Sequence, residues 1–511
     1  MKTPPTLIVL LALLAPASSA FPARDNDAPR EISMRECVET ALRGNIDIAV
    51  SRTERDIAAF GVPTEEAAFL PKFTGDLGVS RSISPSGSAL DGSLSLDQRD
   101  LKFHLGIQDL LPAGTALSLA FENQRQESST SIALLSPQYT TALTLSAQQP
   151  LLKNRGRQVT EGPLRIARAG AAVKTEEWKA KVMDTVAAAQ SAFLSFFAAS
   201  REVEVRKAAL DLADRLMVQT DARIGAGAAA PMDRLPAEAA AAARREELIR
   251  SEAAAQSAAD DLKNILGLRS SGEWEELLVP VPLHADLLPP GADETVEEAL
   301  RRRPEVAAQT ERRKQAEIQE AVARNRTLPS LDLTVSGGLS GLAGSPNPNP
   351  LFPVSSTEFT GNYRDSLDQM FSGNYYNWFV GLKSEIPWRF EREKAEWARS
   401  RSALEEQRLL EEGLFLRIRA EVRKARRDLE SALERIAAAR VSAAAASKKL
   451  EAEEQKLALG RSTTVEVLRF QQDQSEARLA EIRALADAHA ARTRLRRAAG
   501  TILDREGIVI R

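Results

Sequence analysis

Two hydrophobic periods alternate along this chain, and each occurs in both halves. In the first, apolar positions recur every three or four residues. Leu414, Ile418, Val422, Ala425, Leu429, Leu433 and Ile436 step by 4, 4, 3, 4, 4 and 3. Val465, Leu468, Gln472, Ser475, Leu479 and Ile482 alternate steps of 3 and 4. That spacing belongs to helices packed lengthwise at a shallow angle. It predicts two long helices, from about Leu164 to Arg223 and from about Glu391 to Leu459. At 1.5 Å per residue each is roughly 90 to 100 Å long. Shorter helices are expected over Thr295 to Arg326 and Thr464 to Ala499. Stacked end to end, these two nearly match one long helix, which suits a cylinder wall of even height. Periodicity alone fits a coiled coil free in solution equally well.

The second period is two. Phe73, Leu77 and Val79 alternate with Thr74, Asp76 and Ser80. Leu101, Phe103, Leu105 and Ile107 form another set, then Leu117, Leu119 and Phe121, then Leu143 and Leu145. Later in the chain come Leu331, Leu333 and Val335, and Trp378, Val380, Leu382 and Ile386. One apolar and one polar face over about ten residues suits a strand of a transmembrane barrel. A β-sandwich uses the same alternation. Position favours the barrel, because each set lies between two long helices and so gathers at one end of them. The stretches from Ser82 to Gly92 and from Gly341 to Asn374 are rich in Pro, Ser, Gly and Asn and read as outward loops. The chain offers four to six strands, while a membrane barrel needs at least about eight. An open edge in lipid leaves backbone groups unpaired at several kcal/mol each. Several chains must therefore close the barrel together.

Landmarks recur in the same order. Phe69-Leu70-Pro71 before one strand is matched by Thr327-Leu328-Pro329 before another. Gln149-Pro150 is matched by Ile386-Pro387, Gly227 by Gly460, and Leu266-Gly267 by Ala499-Gly500. The last two pairs share one offset of 233 residues. This predicts a first repeat over 21–268, a Pro- and Gly-rich linker over 269–294, a second repeat over 295–503 and a tail over 504–511. Within a repeat the order is helix, strands, long helix, glycine break, helix.

Residues 1–20 read as a secretory signal, with Lys2 in the n-region, an apolar run from Leu7 to Ala15, and Ser18-Ser19-Ala20 at the cleavage site. Cleavage after Ala20 is expected. Cys37, the one cysteine, lies past that site, so it neither carries an acyl chain nor forms an internal disulfide. No later run of eighteen apolar residues follows. Composition adds little: 43% hydrophobic, 27% charged and 5% aromatic residues with a net charge of −3 suit ordered long helices. Lys and Arg are interspersed with Asp and Glu, which gives no nucleic-acid patch. His104, His284 and His489 fall in a strand, the linker and the last helix, without metal-ligand spacing, and His489 continues the heptad begun at Val465. No catalytic motif occurs, so no enzyme activity, cofactor or metal is expected.

The Leu-Pro before each first strand, Gln149-Pro150-Leu151-Leu152, the glycine at each hairpin tip and the run from Leu459 to Leu468 resemble TolC-type outer membrane efflux proteins. The resemblance runs from about Ile32 to Leu503. It implies a mainly α fold with β: a long α-helical coiled-coil barrel forming a periplasmic tunnel, joined to a trimeric transmembrane β-barrel, with two internal repeats. It implies a homotrimer in outer membrane lipid, each chain giving four strands to a twelve-stranded barrel. It implies a passive efflux duct for small molecules, whose tips meet a periplasmic adaptor protein and an inner membrane pump. The exit duct of a type I protein or peptide secretion system uses the same subunit type. A periplasmic coiled-coil scaffold without a pore is the alternative from another class.

The resemblance also marks residues. Gly227, Gly460, Arg461 and Ser462 fall at the hairpin tips, where an adaptor contact is implied. The family's narrow level carries two acidic residues three positions apart, and these positions hold Glu466 and Arg469 here. An arginine two positions after the tip glycine, which helps hold the closed state in well-known members, is replaced by Ser462. Asp233 follows Gly227 by six, as Glu466 follows Gly460, so Asp233, Glu466 and Arg469 are the expected pore constriction. Charges at a helix start also arise from the helix dipole alone. Leu101 to Phe121, turning at Leu111-Pro112-Ala113-Gly114, adds strands that the family plan lacks. They are expected outside the membrane on the barrel hairpin, or against the tunnel.

Overall fold

The computed structural model describes residues 30–87, 91–283, 289, 291, 294–351 and 358–508. The expected signal segment, its cleavage site and His284 lie outside the described residues. The first half runs β1 (Arg30–Ile32), α1 (Met34–Gly44), α2 (Ile46–Glu66), β2 (Lys72–Pro85), β3 (Ser95–Leu110), β4 (Ala116–Ser128), β5 (Leu135–Pro150), α3 (Arg157–Thr160), α4 (Gly162–Gly225) and α5 (Arg234–Leu266). Then come α6 (Ser271–Glu275) and β6 (Leu278–Pro280). The second half runs α7 (Val296–Arg302), α8 (Pro304–Arg326), β7 (Ser330–Pro346), α9 (Tyr363–Ser372), β8 (Tyr376–Glu385), α10 (Glu391–Ala458), α11 (Thr464–Ala499) and α12 (Ile502–Arg505).

The chain forms two compact units, each drawn from three separate stretches. One takes the residues up to Gly44, Ala189–Leu287 and Ile436–Asp487; the other takes Asn45–Ala188, Leu288–Arg435 and the residues from Ala488 onward.

The helices follow their apolar period. Ile418, Val422, Ala425, Leu429, Ala432 and Ile436 are buried along α10, and Ala443, Leu450 and Leu457 continue the same seam at sevens. Ala432 sits on it where the sequence suggested Leu433. On α11 the first two turns bury Thr464, Val467 and Gln471 in place of the expected Val465, Leu468 and Gln472, with Val465 57% exposed, while Ser475 and Leu479 of the expected register are buried. Val467 wins because it enters the core of the first unit with Leu216, Leu450 and Leu457. His489 is buried, as its place on the helix suggested.

One expected helix is two. Thr295 to Arg326 breaks at Arg303, whose ψ of 124° is extended. Pro304 causes this, since a proline ring pushes the preceding residue out of the helical region and opens a new helix well at its first position. The expected linker is also partly structured: β6 pairs in parallel with β1, and α6 begins with a capping box between Ser270 and Glu273. Gly341 to Asn374, read as loop, contains the end of β7 and all of α9.

The second unit holds a six-stranded sheet in the order β2-β3-β4-β5-β7-β8. Every neighbouring pair is antiparallel. The sheet has six strands, against the four per chain that the resemblance implies for the barrel, and it includes the extra hairpin. β3 and β4 are neither an extension beyond the sheet nor a piece resting on helices. They lie within it, between β2 and β5. Backbone pairing is the reason: β3 matches β2 residue for residue from Lys72↔Gln108 to Pro85↔Ser95, and β4 matches β5 from Ala116↔Gln148 to Gln126↔Gln138.

Candidate functional site

Register decides what each face of the sheet carries. Phe73 pairs with Ile107, Ile107 with Leu119, Leu119 with Leu145, Leu145 with Gly337, and Gly337 with Trp378. Residues paired across a sheet share a face. One face therefore bears Val79 on β2, Leu105 on β3, Leu119 on β4, Leu145 on β5, Val335 on β7 and Val380 on β8. All six are exposed large apolar side chains in the single chain. The opposite face bears Asp76, His104, Glu122, Ser118, Thr144 and Lys383, and there His104 Nδ1 lies 3.0 Å from Asp76 Oδ1. A sheet apolar on one face and polar on the other has the patterning of a strand set between lipid and water. Along β2 the apolar positions run from Phe73 to Val79, about 20 Å, or about 15 Å in height at the tilt usual for barrel strands.

Beyond this band the same face turns polar. Arg81 binds Asp97 there through two hydrogen bonds of 2.9 and 2.7 Å. α9 lies on this outer part, with Thr141 Oγ1 2.9 Å from Ser366 Oγ and the Tyr363 hydroxyl donating to Asn123 at 2.8 Å. Gly341 is required beneath it, because a Cβ would come 2.0 Å from the Ser366 carbonyl oxygen.

The helix tips form the second candidate feature, within the first unit. α4 reverses at Gly227 with φ +69°. Its last carbonyls are satisfied by the N–H groups of Gly227, reaching Ile224 O at 3.0 Å, and Ala228, reaching Arg223 O at 2.8 Å. α10 reverses at Gly460 with φ +72° through the matching pair, Gly460 to Leu457 O at 3.0 Å and Arg461 to Lys456 O at 2.9 Å. Both are Schellman caps, where a left-handed residue lets two N–H groups turn back onto the helix. Gly267 and Gly500 close α5 and α11 in the same left-handed conformation.

Past each tip the two acidic residues occupy equivalent places. Asp233 ends a short 3-10 turn over Pro231–Asp233, and its carboxylate accepts the Ala230 N–H at 3.0 Å. Glu466 is in the first turn of α11, where its own N–H is held by Thr463 Oγ1 at 3.3 Å. Both side chains are exposed. Arg234 lies 3.5 Å from Asp221 rather than on Asp233. Glu466 and Arg469 form no ion pair with each other. The second tip is fastened by a bond that spacing did not reveal: Ser462 Oγ donates to Glu453. That bond, ahead of one from Lys456, holds the Glu453 carboxyl below the usual range. Sequence reasoning also missed the apolar surface at the tips, where Val218, Met232, Leu235, Leu459 and Val465 are exposed. Leu459 and Val465 look like seam positions by type, and only the cap geometry turns them outward.

Cys37 is buried in the first unit, and burial pushes its thiol up to about 12. Among the described residues no group of His, Cys, Asp and Glu is placed to hold a metal ion.

Residues 295–501 match the family model of the outer membrane efflux protein. No curated protein matches the chain. Among solved structures the Campylobacter jejuni CmeC outer membrane channel is similar, with TM-score 0.67 and 15% identity over 92% of this chain and 86% of that one. The open state of the Neisseria gonorrhoeae MtrE outer membrane channel gives 0.62 and 17%, over 92% and 89%. The outer membrane protein VceC of Vibrio cholerae gives 0.64 and 14%, over 91% and 96%.

Proposed function

We propose that this chain, an outer membrane efflux protein by the match of its second repeat and by its fold, is one of three identical subunits of a passive duct. The duct carries small molecules out of the cell. It works with a periplasmic adaptor protein and an inner membrane pump that supplies the energy. The observation that carries this reading is the sheet: apolar on one face of all six strands, polar on the other, and ending in two strands, β2 and β8, that pair with no further strand among the described residues. In lipid such free edges are prohibitive, so the chains must pair edge to edge. A coiled-coil scaffold in water has no use for an outward face on which Val79 is 81% exposed and Trp378 74% exposed.

The tips supply the other two roles. Gly227, Gly460, Arg461 and Ser462, with the exposed apolar side chains around them, form the adaptor contact. Asp233, Glu466 and Arg469 line the constriction, where like carboxylates from three chains favour cations. The test is a deletion strain carrying the chain beside its own adaptor and pump. Restored export that depends on all three supports the duct. Release of the protein by osmotic shock, with no gain in export, overturns it.

A further inference from the structure

We infer that all six strands cross the outer membrane, so that three chains close a barrel of eighteen strands around a wide aqueous lumen. This rests on the trimeric duct proposed above and concerns the membrane part alone.

Four observations converge on β3 and β4. First, hydrogen-bond pairing runs through them without interruption, so the sheet has no break at which an accessory hairpin could leave it. Second, their apolar and polar faces are in phase with those of β2 and β5. Leu105 pairs with Phe121 and Phe121 with Leu143 on one face, while Lys102 pairs with Gln124 and Gln124 with Thr140 on the other. A hairpin standing in water needs no apolar stripe continuous with its neighbours. Third, β3 and β4 have 16 and 13 residues, enough to span at the usual tilt. Fourth, their turn is of the inner kind. Leu111 and Thr115 close it with a 2.9 Å hydrogen bond, at the end of the sheet where β2 leaves α2 and β5 runs toward α3. Of the three connections at the other end, those from 86 to 94 and from 347 to 375 are longer, and that from 129 to 134 exceeds this turn by one residue. Short turns on the periplasmic side and long ones outside are the pattern of outer membrane barrels.

The free edges fit the same closure. β2 runs outward and β8 runs inward, so the β2 edge of one chain meets the β8 edge of the next in the antiparallel sense of every other pair. At about 4.8 Å between strands and a tilt of about 40°, eighteen strands give a barrel about 36 Å across, against about 24 Å for twelve. Barrels of 16–18 strands keep an open aqueous channel. Two chains would close twelve strands instead.

The experiment labels single cysteines in outer membranes with a water-soluble maleimide, then weighs the unheated complex in detergent. The native Cys37 is buried and gives a low background. Lys102→Cys and Ser118→Cys should react. Leu105→Cys and Leu119→Cys should react at least about tenfold more slowly until detergent is added, because hydrocarbon disfavours the reactive thiolate. Val380→Cys and Lys383→Cys give the same comparison on β8. Protection of Leu105→Cys and Leu119→Cys in a complex of three chains supports eighteen strands. Equal labelling of all four positions on β3 and β4, with Val380→Cys still protected, overturns this inference and leaves the duct intact. A complex of two chains overturns it as well. Equal labelling on β8 too sinks the duct reading along with it.

Discussion

The guanidinium of Arg497, near the end of α11, lies 2.6 Å from the carboxylate of Glu305, at the start of α8, although 192 residues separate them. Arg303 shares the same carboxylate at 3.1 Å and reaches Glu421 on α10 at 2.7 Å. Arg497 also donates to Asp184 on α4 at 2.5 Å. One partly buried network thus joins four helices of the second unit, at the point where Pro304 breaks the helical path.

Burial raises the Glu305 carboxyl, but the Arg303 hydrogen bond and the charges of Arg497 and Arg303 outweigh it and bring it down to about 2. A carboxyl lowered on folding stabilises the fold above its unfolded value, near 4.3. That contribution fades as pH falls from there toward 2. It is worth roughly 2 kcal/mol after allowing for partial contact with water. Thermal unfolding in detergent should therefore show stability falling in this window, and Glu305→Gln should lose that part of the pH dependence. At neutral pH the variant leaves the buried Arg303 with Glu421 alone and the partly buried Arg497 with Asp184 alone, and should melt at a lower temperature. A variant with unchanged melting and an unchanged acid limb contradicts the network's role.

Gly460→Ala should strain the second tip. No atom lies within 4 Å of the added Cβ, so the cost is conformational only. A left-handed alanine costs about 1–2 kcal/mol. Faster proteolysis between Ala458 and Thr463, with no change in membrane insertion, is the expected result. Unaltered cleavage argues that the hairpin does not depend on this cap.

Much of this was legible in the sequence, for a physical reason. The long helices and their glycine ends were readable because heptads and C-terminal glycines are local signals, and Gly227, Gly460, Gly267 and Gly500 all adopt the left-handed conformation. The alternation of Leu101 to Ile107 revealed a strand but not its neighbours, since pairing is a long-range property. α9 was hidden because its ten residues sit among glycines and asparagines and carry only three turns of pattern. Pro304 was visible, but the helix was read through it. At the tips, type and spacing found the glycines and the acidic pair, while the Ser462–Glu453 bond depends on how the chain folds back.

Replacing apolar tip residues should separate docking from folding. Leu459→Asp and Val465→Asp change side chains that are already exposed, so stability should move by less than about 0.5 kcal/mol. Export in cells should fall sharply while the amount in the outer membrane stays level. Full export by both variants would remove these residues from the adaptor contact.

Ser462→Ala tests the clasp at the second tip. The variant removes one hydrogen bond to a charged carboxylate, which loosens the turn it fastens. Amide exchange should quicken over 453–466 and remain unchanged around Gly227. Equal protection in both proteins would show that the bond contributes nothing to tip rigidity.

The central claim is that this chain builds a water-filled pore whose narrow level carries Glu466. Single-channel recording in planar lipid bilayers tests it most directly. The purified complex should insert as discrete, cation-preferring conductance steps, and Glu466→Ala should shift the reversal potential toward zero in a salt gradient. Bilayers that stay silent at every protein concentration, although the protein is folded, would contradict the account.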